Sequence, residues 1–151
     1  MPGTLIEVAV LGLDPAEDRR IAIERLAATG PIIFLRGLRA DQYSVIASTS
    51  DPIASGLVAE VMAREPDEIP RDAGSRADPR ATARLESVRA EYGADWLIAT
   101  DASVASARAC PGLRIICLGP AGDQPDPTRP DHRAHSLLEA ARLIETAAAF
   151  A

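Results

Sequence analysis

A chain of 151 residues with 47% apolar and 25% charged residues is long enough for one globular domain, spanning residues 1–151, with a sizeable core. All sixteen basic residues are arginine, which excludes a Schiff-base lysine, a P-loop lysine and a lysine general base. A net charge of −6 and an aromatic content of only 3% argue against nucleic-acid binding, which needs a basic face or stacking platforms.

The first apolar run, Leu5 to Leu13, reads as a strand. Glu7 interrupts it, no basic segment precedes it, and no run approaches the ~18 apolar residues of a membrane span. Neither a signal peptide nor a membrane segment is expected, and a cytoplasmic location is the default. Pro15 at a helix start, with Glu17 and Asp18 in the first turn, suits an N-terminus. Ile21, Ile23, Leu26 and Ala27 supply the apolar face, and Gly30-Pro31 stops the helix.

"PIIFLRG" and "YSVIAST" read as two further strands. Only about six residues separate them, where a parallel crossover needs a dozen or more. They form either a hairpin or a pair that does not lie wholly in the main sheet. Asp51-Pro52 opens a second helix, with Ile53, Leu57, Val58 and Val61 spaced for one buried face.

Residues 64–79, "REPDEIPRDAGSRADP", read as a loop, either a solvated connection or a flap. A helix from Pro79 to Tyr92 ends at Gly93, followed by the strand "ADWLIAT", a short helix "ASVASARAC" and a last strand "LRIICLG". Cys110 and Cys117 flank and occupy that strand, where small core hydrophobes are expected. The polar loop "PAGDQPDPTRPDHRA" leads to a closing helix, Ser136 to Phe150. Its alanine-rich end leaves room for a second subunit, so a homodimer is one expectation.

This alternation predicts an α/β fold: a three-layer, Rossmann-like domain with a mainly parallel sheet of about five strands. Val8–Leu13, Val45–Ala47, Trp96–Ala99 and Ile115–Leu118 are expected to lie parallel in one sheet, with Trp96 buried. Ligands in such sheets bind beyond the carboxyl ends of the strands. Asp14 there is either a Mg²⁺ ligand or proton carrier, or a helix-capping aspartate. Ser48, Thr49 and Asp51 offer hydroxyls to an anion, or cap the helix that follows. Asp101 repeats the pattern. His132 and His135, spaced i,i+3 near a helix start, are two ligands where a structural metal site wants four.

"DPRATARLESVRAEYGADWLIATDASVASARACPGLRIICLGP", followed by "SLLEAARLIE", resembles the C-terminal half of the haloacid dehalogenase (HAD) superfamily. "VAVLGLDP" resembles its first motif, "QYSVIASTSDP" its second-motif strand and "RADP" its third-motif segment. The resemblance implies a small phosphorylated ligand held by Ser48, Thr49 and Arg76, with Asp14 as acid/base and Asp14 and Asp101 as Mg²⁺ ligands. It also implies an aspartate nucleophile two residues before Asp14, where this chain has Gly12. A glycine forms no aspartyl-phosphate. The expectation is therefore a HAD-like domain without that catalysis, acting in binding, regulation or assembly. The alternatives are a Mg²⁺-dependent phosphoester hydrolase with altered motifs, and a glycosyltransferase-like domain, whose sugar-nucleotide-binding half "ADWLIATDASVASARACPGLRIICLGP" also resembles.

Overall fold

The computed structural model describes residues 2–36, 44–64, 79–100, 106–118 and 132–149. Six strands form one sheet: β1 (Gly3–Glu7), β2 (Ile32–Arg36), β3 (Ser44–Thr49), β4 (Ala94–Ala99), β5 (Arg114–Leu118) and β6 (His132–Ala134). Their order is β3-β2-β1-β4-β5-β6, and every pair is parallel except β2–β3. That is the strand order of the doubly wound dinucleotide-binding sheet, carrying an antiparallel edge strand.

Both faces of the sheet are covered, so β1 and β4 are buried almost without a break instead of at alternate residues. Ile6, Phe34, Ile98 and Ile116 share one core with α1 (Ala16–Thr29), α2 (Pro52–Ala63) and α4 (Leu137–Ala149). Leu5, Ile33, Leu35, Leu97 and Ile115 share the other with α3 (Pro79–Tyr92), which buries Ala81, Leu85 and Val88. Gly93, at a φ of 63°, ends α3 in the left-handed conformation that glycine adopts without strain. Its carbonyl accepts from Gly3 N at 3.1 Å, seating the start of β1. Among the described residues no helix is long and apolar enough to cross a membrane.

Three expectations are corrected. Val8–Leu13 is a 3-10 helix, not a strand: β1 stops at Glu7, and Val8, Val10 and Leu11 turn into the core without pairing. Apolar content is the same for a buried turn and a buried strand, so the run could not tell them apart. Val45–Ala47 lies in an antiparallel strand, because the connection from β2 is too short to cross over. In α2 the buried residues are Ser55, Gly56 and Ala59, whereas Ile53, Leu57 and Val61 are exposed.

Trp96 is 6% exposed and packs in the first core, as its sequence context suggests. The Arg114 guanidinium sits 4.9 Å from its ring centroid, and the His132 ring lies 5.7 Å from it, centroid to centroid. Trp96→Ala therefore removes a packed core aromatic, and urea unfolding should register a loss of about 3–5 kcal/mol.

Candidate functional site

In an open α/β sheet the crevice for a ligand lies at the carboxyl edge, where strand order reverses. Here that point falls between β1 and β4. Glu7 ends β1 and Thr100 follows β4, both 6% exposed, and Thr100 N donates to Glu7 Oε1 at 3.3 Å. A buried carboxylate thus ties the two central strands together where a ligand crevice would open. In the sequence Glu7 stands out only as an interruption of an apolar run. The available signal was a lone acid placed between two apolar runs.

After Glu7 the 3-10 helix carries the chain to Asp14, which is buried. Asp14 Oδ1 accepts from Leu137 N at 2.8 Å, and Oδ2 accepts from Leu138 N at 3.3 Å. It caps a helix, as one reading of the sequence had it, but the helix is the last in the chain and not the one beginning at Ala16. Ser136 Oγ accepts from Glu139 N at 3.1 Å, and the Ser136 carbonyl accepts from Ala140 N at 3.1 Å. Leu137, Leu138 and Glu139 N–H, which have no partner within the helix, are thus all satisfied by side chains, and Ala140 N makes the first helical bond. A cation at Asp14 would also face the positive end of that helix, an unfavourable place for Mg²⁺.

Arg19 reinforces this arrangement from inside α1. Its Nη1 donates to the carbonyls of Leu11 at 3.0 Å and Asp14 at 3.2 Å. Its Nε and Nη2 donate to Glu60 Oε1 on α2 at 3.2 and 3.0 Å. The sequence offered no sign that this arginine, one of two adjacent, would turn inward.

The residues assigned to an anion lie elsewhere. Thr49 pairs with Ile32 and Ser48 with Ile33, at the amino end of β2. Because β3 runs antiparallel, its end lies at the opposite edge of the sheet from Glu7 and Asp14. Ser48 is exposed, Thr49 Oγ1 accepts from Asp51 N at 3.2 Å, and Asp51 Oδ1 accepts from Ile53 N at 3.1 Å. The stretch therefore closes a turn and caps α2. Arg76 and Asp101 lie outside the described residues.

His132 sits in β6 and His135 in the turn after it, so they do not share a helix face. The His132 ring lies tilted beside Trp96, and Glu139 Oε2 accepts from His135 N at 3.0 Å. Among the described residues no three His, Cys, Asp or Glu side chains are grouped to hold a metal ion. A cleft of about 90 Å³ lined by Thr4, Thr29, Asp95, Trp96 and Arg114 lies at the amino edge. It is well short of the roughly 300 Å³ at which ligand pockets begin.

Cys110 and Cys117 are buried and form no disulfide with each other. Burial, then the nearby Glu86 carboxylate, pushes the Cys110 thiol up to about 11. Thiolate is the reactive form, so Cys110 is not a nucleophile at neutral pH.

No protein-family model matches the chain, and no curated protein is similar to it in sequence. The fold alone defines its class, an α/β domain of Rossmann-like, doubly wound architecture.

Asp14→Ala orphans two N–H groups of α4 and should lower stability by about 2 kcal/mol in denaturant titration. Asp14→Asn keeps one acceptor and should lose less, while exposed Ser48→Ala should stay within about 0.5 kcal/mol of the parent. Ellman's reagent at pH 7.5 should label neither cysteine in the folded chain and both after denaturation.

Proposed function

We propose that this chain is a HAD-like domain without aspartyl-phosphate catalysis, one that works by binding or assembly and not by turnover. The observation that carries this reading is Asp14, whose two carboxylate oxygens both accept peptide N–H groups from α4. An acid/base carboxylate must be able to reach the proton that it transfers, and this one is buried as a helix cap.

Gly12 supports the same reading. It lies exposed in the 3-10 helix, beyond the end of β1 at Glu7, and not at the mouth of the central strands. Ser48 stands at the opposite sheet edge from Asp14, so the two do not frame a single phosphate. The alternating strands and helices are compatible with such a frame, and among the described motif positions Asp14 and Ser48 do not converge.

The purified chain is expected to release no phosphate from general phosphomonoesters with Mg²⁺ and to retain no covalent phosphate. Gly12→Asp should remain inactive although it folds, because a Cβ at Gly12 meets nothing within 4 Å. Regained turnover in that variant would show that the other groups of a catalytic site still converge. Robust turnover by the parent chain, abolished by Asp14→Asn while circular dichroism shows the fold intact, would overturn the proposal in favour of the hydrolase.

A further inference from the structure

The helix α2, "PIASGLVAEVMA", carries a single charged side chain, Glu60, and that one is held by Arg19. A helix apolar on all sides is normally covered on all sides. The inner side of α2 is covered by α1 through Ser55, Gly56 and Ala59. On its outer side Ile53, Leu57 and Val61 remain 70%, 64% and 59% exposed. Spaced i, i+4 and i+8, they form one continuous ridge along the helix.

We propose that a second copy of this chain covers this ridge, with the two α2 helices packed antiparallel about a two-fold axis at Leu57. The ridge reads the same in both directions, with Leu57 at its centre and a β-branched residue four positions to either side. On the axis Leu57 meets Leu57 of the partner, and Ile53 meets Val61 of the partner. Self-complementarity of this kind is what an isologous dimer requires.

The ends of the helix supply matching charge. Asp51 and Arg64 are both exposed, and Arg64 forms no ion pair among the described residues. At about 1.5 Å per residue they lie roughly 9 and 10 Å to either side of Leu57, so antiparallel packing brings each Asp51 beside Arg64 of the partner. The three ridge side chains present on the order of 350 Å² of apolar surface in each copy, the size of the largest such patch on a typical monomer, which is often functional.

The chain that follows α2 is a poor alternative cover. Residues 65–78 include one large aliphatic side chain, Ile69, among acids, arginines and prolines. Dimerisation through α2 does not depend on the catalytic status of the domain, and its failure would leave the preceding proposal untouched.

Sedimentation equilibrium of the full chain tests the interface. The parent should be dimeric at high micromolar concentration, and Leu57→Glu should raise its dissociation constant about 100-fold or more, as for a central interface residue. Because Leu57 is exposed, that variant should keep the circular dichroism and melting temperature of the dilute parent. Asp51→Arg and Arg64→Asp should each weaken self-association by placing like charges together. An equimolar mixture of the two should recover it, since both pairs in the heterodimer are then of opposite charge. A parent chain that stays monomeric, or a dimer indifferent to Leu57→Glu, overturns the proposal. So does a Leu57→Glu monomer with a markedly lower melting temperature, which would show that the same chain covers the ridge.

Discussion

The structure depends on one carboxylate closing the domain between its first loop and its last helix. Asp14 reaches across 123 residues of sequence to accept from Leu137 N, and it accepts from Leu138 N as well. The start of α4 is partly buried, where unpaired N–H groups would each lose the full value of their hydration. With Asp14 in place, α4 can lay Leu137, Ala140, Ala141 and Ile144 on the sheet. Arg19 then holds the carbonyl of Asp14 and links the same loop to Glu60 on α2. The three helices on this face of the sheet are thus fixed around one loop by charge-assisted hydrogen bonds.

The same arrangement engages the described acids at the carboxyl edge of this Rossmann-like frame in structural roles. Glu7 bridges to Thr100 at the switch point, and Asp14 is taken up by α4. The hydroxyls of β3 are carried to the far edge by the antiparallel hairpin. A fold supplies positions for a site, and the side chains placed there decide whether one exists. In this chain the described acidic groups near the edge stabilise secondary structure and strand pairing.

Helix α2 reverses the usual amphipathic arrangement. Small residues face α1, where a Cβ on Gly56 would meet the Arg20 and Glu24 side chains at 3.8–3.9 Å, an ordinary contact distance. With Ser55, Gly56 and Ala59 on the inner side of the helix, Ile53, Leu57 and Val61 fall on the outer one. The surface that results is the one proposed to pair with itself.

Periodicity along the chain was enough to establish the alternation of strands and helices, the helix from Pro79 to Tyr92 with its stop at Gly93, and the burial of Trp96. These follow from local spacing and from residue types whose preferences act within a few positions. The short link between "PIIFLRG" and "YSVIAST" made the hairpin one of two readings, and tertiary structure chose it. Three features were decided only by packing. Val8–Leu13 became a 3-10 helix because the core, and not a neighbouring strand, received its apolar side chains. The outward face of α2 was set by which residues pack against α1, since its apolar residues do not mark a single stripe. The role of Asp14 depended on a helix more than a hundred residues away, and no local pattern encodes a hydrogen bond across that distance.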